Sequence, residues 1–356
     1  MKKIFKIIAL ITLCFISYSA YTNYRYSTIY ARNENKKIDV NRKFDVSFSK
    51  DGIDNIVLIT MVKDESDIIY QNLVWHFAIG FRKFVIVDNN SSDGTKEAIE
   101  KFAEITKDKA KVFIIQDPVY EYIQSRIMTG AYLFANSVWP DLEWIFPVDA
   151  DEFWVPERNL KSILDSVPSN VDAILTSCAR HYPTKDYYTY DNSLPFYNKI
   201  QNRKNNLDDN LGKVAFRNKG RDITIAQGNH SIEKHFSTLA KFPLLIQKVI
   251  GKFGINYQSG NSFGLQMTEY PIRSIAQVDR KFSNGMKANI LAQKKGLISK
   301  GAGFHWNKFA ELIKEHKTQE LAAKFVFESE MISDYVHDPL PIDEAHRHFD
   351  AMVNRK

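Results

Sequence analysis

Asp149 and Asp151 stand one residue apart at the end of an apolar run, Trp144-Ile145-Phe146-Pro147-Val148, and Glu152-Phe153 follows them. The run reads as a buried strand, and open α/β sheets hold their ligands at strand ends. Side chains alternate along extended backbone, so the two aspartates are expected on one side. Carboxylates that close repel unless a cation lies between them. Hard divalent ions such as Mg²⁺ or Mn²⁺ take oxygen ligands and share them with substrate phosphates. Asp149 and Asp151 are therefore the expected metal ligands of a site that receives a diphosphate. An Asp-x-Asp alone is also a common solvated turn or helix cap, so the weight falls on the elements that must position it.

Those elements alternate. Residues 56–61 read as a strand, 66–79 as a helix with Ser66 as its N-cap, and 84–87 as a second strand ending at Asp88. Ser92-Asp93-Gly94-Thr95 opens a helix to about residue 105, with Asp93 in a turn and capping role. A third strand (111–115), a third helix (122–138) and a fourth strand (142–148) complete the series. Short connections between strand and helix imply parallel strands with right-handed crossovers. The carboxyl ends then share one edge, so three acidic loops converge: Lys63-Asp64-Glu65, Asp88 to Thr95, and Asp149 to Glu152. Past Asp151 the pattern weakens. A short helix (160–165), a strand (171–176) and two strands of a hairpin or mixed sheet (213–216, 222–226) are expected. Residues 180–212 read as a long polar loop, and 274–295, 308–315 and 319–330 as helices.

The 356-residue chain is 44% hydrophobic, enough for one large domain or two small ones. Its net charge of +6 suits an anionic small molecule or acidic lipid headgroups. No dense basic stripe interleaved with aromatics appears, so nucleic acid is not an expected partner. Cys14 and Cys178 are too few for a disulfide framework. Lys2 and Lys3 precede an apolar run, and residues 1–22 read as a membrane anchor or signal segment, with the uncleaved anchor favoured. A polar, basic stalk follows over 23–50. The lysines argue for a cytoplasmic N-terminus and the more positive stalk for the reverse, so the side of the membrane stays open.

The order of three motifs, Val62-Lys63-Asp64-Glu65, Val87-Asp88-Asn89-Asn90-Ser91-Ser92-Asp93-Gly94-Thr95 and Val148-Asp149-Ala150-Asp151-Glu152-Phe153, resembles the family 2 nucleotide-sugar glycosyltransferases, in the branch with a DADEF metal motif. The likeness covers residues 56–155 and continues more weakly at Gly228-Asn229-His230 and Tyr270-Pro271-Ile272-Arg273-Ser274. It implies a GT-A-like α/β fold: a mostly parallel sheet flanked by helices, with a nucleotide-sugar-binding and catalytic region over 51–240 and a more helical region over 241–356 completing the acceptor side. It further implies a divalent cation, a nucleotide-diphosphate sugar donor, a glycan, lipid or protein-linked acceptor, and inversion by direct displacement. By position, Asp64, Glu65, Asp88 and Asn89 fall in donor-contacting loops. Asn89 and Glu269 depart from the family pattern, standing where relatives commonly carry Asp and His.

A displacement at an acceptor hydroxyl needs a general base. Glu152, Asp186, Asp191, Glu233, Glu269 and His230 are the candidates; Asp151, Glu152 and Glu269 form the expected catalytic set. His230 is also a possible third metal ligand. Arg273 and Lys281 are expected to offset donor phosphates. Trp154 and Trp306 suit core packing or a sugar-lining wall. An apolar strand ending in Asp-x-Asp also fits a haloacid dehalogenase-type phosphohydrolase. A base that the sequence does not single out keeps open a membrane-tethered binding protein on a catalytically dead transferase scaffold, against which the intact Asp149 and Asp151 argue.

Overall fold

The central strand β1 (Ile56–Val62) is apolar except for Thr60 and almost wholly buried. Its period of two sends Ile56 and Leu58 into one apolar layer and Val57 and Ile59 into another. Phe84 and Ile86 divide from Val85 and Val87 in the same way. Strands apolar on both faces need cover on both faces, so the sheet sits between two helical layers.

The computed structural model describes residues 45–119, 123–205, 208–234, 255–297 and 304–355. The expected anchor, and the expected stalk up to residue 44, lie outside them. Among the described residues no helix is long and apolar enough to cross a membrane. After β1 come α1 (Ile69–Ala78), β2 (Lys83–Asp88), α2 (Thr95–Thr106), β3 (Lys111–Gln116), α3 (Gln124–Val138), β4 (Trp144–Asp149), β5 (Glu152–Pro156), α4 (Leu160–Ser166) and β6 (Ala173–Arg180). Then follow α5 (Phe196–Lys199), β7 (Asn202–Lys204), β8 (Asp208–Arg217), β9 (Ile223–Ile225), β10 (Ile232–Lys234), β11 (Tyr257–Ser259) and β12 (Leu265–Glu269). The chain closes with α6 (Ile275–Lys294), α7 (Phe304–His316), α8 (Gln319–Ser329), β13 (Tyr335–His337) and α9 (Ile342–Val353).

The main sheet runs β3-β2-β1-β4-β8-β6-β12-β5, with β11 paired to β6. Its first four strands are parallel, as the strand-helix alternation requires. The far half is mixed: β8 is antiparallel to β4 and β6, and β5 to β12. Of the two arrangements expected for 213–216 and 222–226, a hairpin or a mixed sheet, the first strand takes the mixed sheet. β8 enters the main sheet, and β9 pairs with β10 instead. The polar stretch 180–212 is not one loop; it holds α5, β7 and the start of β8. Beyond residue 240, β11 and β12 belong to the main sheet, so the C-terminal region is not helical throughout.

One layer is built from α1, α2 and α9, where Phe77 meets Phe102 and Phe349 at ring distances of 6.3 and 5.2 Å. Trp154 lies in that layer, edge-on to Phe146 at 5.3 Å, which gives it a core role. Burying such a side chain fully is worth about 1.5–3 kcal/mol. The other layer is α3 packed on β1 and β9. Ser66 is not the cap of α1, which starts at Ile69 with Ile68 before it. Its hydroxyl donates to Asp93 Oδ2 at 2.8 Å, and Asp93 Oδ1 accepts from the Thr95 amide at 3.1 Å to open α2.

Candidate active site

Parallel register sets the site. Val62 pairs with Asp88 and Met61 with Asp149, so three strands end level and their loops open on one edge. The loops are stitched together. The Glu65 amide donates to Thr95 Oγ1 at 2.8 Å, and Lys63 Nζ donates to the carbonyls of Asn89 and Asn90 at 3.1 and 2.9 Å. Between them lies a cleft of about 160 Å³ walled by Lys63, Glu65, Asn89, Asp149 and Asp151, with Lys281 and Asn284 of α6 above. Gln124, at the start of α3, also borders it.

Asp149 closes β4, and Asp151 lies in the turn before β5. The two share the cleft because of that turn, not because of a continuing strand. Asp149 Oδ1 accepts from Gln124 Nε2 at 2.6 Å and Asn229 Nδ2 at 3.0 Å; its Oδ2 accepts from Lys213 Nζ at 3.2 Å. Asp151 Oδ2 accepts from Lys281 Nζ at 2.7 Å, with Arg273 Nη1 at 3.9 Å. Burial pushes the Asp151 carboxyl up, and Lys281 and Arg273 outweigh it, holding it below the usual carboxylate range. Burial likewise opposes the charge of Lys281, and Asp151 with Glu65 raises its pKa regardless.

Glu152 and Glu269 sit behind this wall and not on it. They face each other across the β5–β12 pairing. Glu152, 1% exposed, accepts the Asp149 amide at 2.9 Å and pairs with Lys213 Nζ at 2.5 Å. Glu269 pairs with Arg180. Burial raises the pKa of both carboxyls; beside Glu152 the Asp149 charge adds to the rise, and beside Glu269 Arg180 opposes it. Lys213 was not among the expected site residues. Its ammonium is caged by Asp149, Glu152 and the Gly228 carbonyl (2.7 Å), and those carboxylates raise its pKa well above normal despite burial.

The remaining expected residues divide. Arg273 is buried beneath the first loop, where Nε and Nη2 donate to Asp67 at 2.8 and 3.0 Å, Nη2 also reaches Glu65, and Nη1 donates to the Tyr270 carbonyl at 2.9 Å. Burial pushes Glu65 up to about 7 against the pull of Arg273. Asp64, at φ 52°, ties three elements: its Oδ1 accepts from the Ser92 amide at 2.7 Å, and its Oδ2 from Asn284 Nδ2 at 2.5 Å. Asp88 is 1% exposed and accepts the Ser91 amide at 3.0 Å, a strand-end turn role away from the cleft wall. Asn89 borders the cleft and donates Nδ2 to Asp117 Oδ2 at 2.9 Å and to the Val119 carbonyl, which a second aspartate could not do. His230 stays outside the cleft lining, its Nδ1 2.9 Å from the Gly212 carbonyl; burial and then Lys213 lower its pKa. Asp186, Asp191 and Glu233 also lie off the cleft wall. Trp306 borders the cleft and packs on Gly285.

Asp149 and Asp151 fit a hard divalent cation by chemistry and by shared cleft. Among the described residues no group of three His, Cys, Asp or Glu converges for a metal. The protein thus offers two carboxylates, the number typical where substrate phosphates supply the rest.

Residues 79–222 match the family model described as glycosyl transferase family 2. The chain carries a glycosyltransferase domain. The matched segment spans the second acidic loop, the Asp149–Asp151 turn and Lys213. The mixed α/β sheet with helices at its C-terminal side is consistent with the GT-A fold. Two solved glycosyltransferase structures are similar in outline. The mannosyltransferase PcManGT of Pyrobaculum calidifontis, in complex with GDP-Man and Mn²⁺, is 14% identical over 96% of this chain and 92% of its own, with a TM-score of 0.33. TarS 1-349 of S. aureus is 12% identical over 84% of this chain and 89% of its own, with a TM-score of 0.34. Likeness this distant says nothing about the donor. No curated protein sequence matches the chain.

Within the glycosyltransferase domain, Lys213 and Gln124 are the polar side chains that sequence reasoning passed over. Lys213 had a signal: it opens the short run Lys213-Val214-Ala215-Phe216 on the face that Ala215 buries. Gln124, at a helix start, had none.

Proposed function

We propose that the chain is a metal-dependent glycosyltransferase of the DADEF branch, moving a sugar from a nucleotide-diphosphate donor to an acceptor hydroxyl with inversion. One observation carries this reading: Asp149 and Asp151 share a single cleft with the ends of β1 and β2 and with Lys281. Asp151 and Asp149 would hold Mn²⁺ or Mg²⁺, which when bound neutralises charge on the departing diphosphate. Gln124, Asn229 and Lys213 fix the Asp149 carboxylate, and Glu152 fixes its amide, so the pair is oriented before substrate arrives. Glu65, Lys63 and Asn89 form the donor wall. Lys281 faces the same cleft and supplies a cation for phosphate oxygens. Glu269 and Glu152 lie behind the cleft wall, held by Arg180 and Lys213, and support it from beneath rather than reaching the acceptor. Asp149 carries donors on both oxygens, which argues against its use as the nucleophile of a phosphohydrolase. Residues 1–22, read as an anchor, would tether the enzyme to a membrane.

The test is hydrolysis of sugar nucleotides by the purified chain in Mn²⁺. Turnover that falls at least 100-fold in Asp151→Asn supports the reading. Turnover of simple phosphate esters in its place would establish the phosphohydrolase, and nucleotide binding without turnover the dead scaffold.

A further inference from the structure

The aspartate pair already has counter-charges built into the protein. Lys213 caps Asp149, and Lys281 caps Asp151. The two lysines differ in freedom. Lys213, with a side chain 5% exposed, has three acceptors for its three protons: Asp149, Glu152 and the Gly228 carbonyl. It cannot leave without stripping the buried Glu152 of its counter-charge. Lys281 is 29% exposed and stands on α6, with Asp151 as its short contact and the Pro271 carbonyl at 3.5 Å as its other. Its flexible four-carbon stem lets it exchange partners within the cleft.

We propose that Lys281 is a latch on the cation site: a divalent ion enters only together with a nucleoside diphosphate, which takes Lys281 over from Asp151. The proposal rests on the glycosyltransferase reading and adds its order of assembly. A lone ion approaching Asp151 meets an ammonium 2.7 Å from the same oxygen and must displace it without offering a new partner. A diphosphate supplies anionic oxygens for that ammonium and fills the ion's oxygen shell, which two carboxylates leave incomplete. The cleft, about 160 Å³, is below the roughly 300 Å³ at which small-molecule pockets begin. Withdrawal of Lys281 from Asp151 enlarges it on the side that faces α6. Lys213 remains in place throughout and keeps Asp149 a fixed anchor.

The experiment is calorimetric titration of the full chain with MnCl₂ alone, with UDP, GDP, CDP or dTDP alone, and with MnCl₂ at saturating nucleotide. Wild type is expected to bind Mn²⁺ at least tenfold more tightly when a nucleotide is present. Lys281→Met and Lys281→Gln are each expected to bind Mn²⁺ alone at least tenfold more tightly than wild type, and Lys281→Arg to behave as wild type. Thermal unfolding of each variant confirms a folded protein, and either neutral variant suffices. Equal Mn²⁺ affinity with and without nucleotide in wild type, or unchanged Mn²⁺-only affinity in the neutral variants, overturns the latch while leaving the enzyme reading intact. Absence of binding by every nucleoside diphosphate, with and without Mn²⁺, overturns both.

Discussion

Arg273→Met tests whether one buried guanidinium organises the donor loop. Arg273 is wholly buried, and its removal leaves Asp67 without its two donors and Glu65 without its counter-charge. Breaking a buried pair costs about 3–5 kcal/mol. Asp67 is 30% exposed and regains some water, so the low end, about 3 kcal/mol, applies. The pH dependence separates the two carboxylates. The folded pKa of Glu65, about 7, lies above its ordinary value, so its contribution to stability is full at low pH and is lost as pH rises through 7. Near pH 6 Glu65 is protonated in both proteins, and the loss reflects Asp67 and packing. Above pH 7 the wild-type carboxylate ionises against Arg273, whereas in the variant it stays protonated. The gap should therefore widen by up to about 1.4 kcal/mol per pH unit. Urea unfolding at pH 6 and pH 8 measures it. A gap that is the same at both pH values, or a loss below about 1 kcal/mol, refutes the reasoning.

Glu269→Gln leaves the Arg180 guanidinium without its carboxylate behind the cleft and should cost about 3 kcal/mol in chemical denaturation; an unchanged midpoint rejects the pairing as a support of the wall. Gly228→Ala places a Cβ against the His230 ring at φ 72°, a backbone conformation that side chains resist. It should cost about 1–3 kcal/mol in chemical denaturation and loosen the loop that carries Asn229 to Asp149. An unaltered midpoint would refute both the ring contact and the backbone strain as costs at this position.

The parallel half of the sheet was legible because β1, β2 and β4 carry near-continuous apolar runs, as strands covered on both faces do. β5 and β12 were not, since a two-residue turn hides the start of Glu152–Pro156, and Gln266, Thr268 and Glu269 make Leu265–Glu269 look polar. Their pairing, not sequence spacing, puts Glu152 opposite Glu269 behind the cleft. α9 had a readable stripe, Ile342, Ala345, Phe349 and Met352, that was passed over. At the site, the acidic motifs gave the loops and not the division of labour within them. Asp88 and Asp149 look alike in sequence. Burial under Ser91 turns the first into a strand-end turn residue, while the second faces open space.

The Phe77–Phe349 contact joins two stretches that a ribosome makes far apart in time. While the chain emerges, Phe77 and Phe102 have no roof until the helix over Ile342–Val353 has been made. The sheet's first layer can close only once that helix has left the ribosome. Until then the nascent protein presents an aromatic face prone to non-native association. A premature stop anywhere before residue 342 would leave that face bare for good.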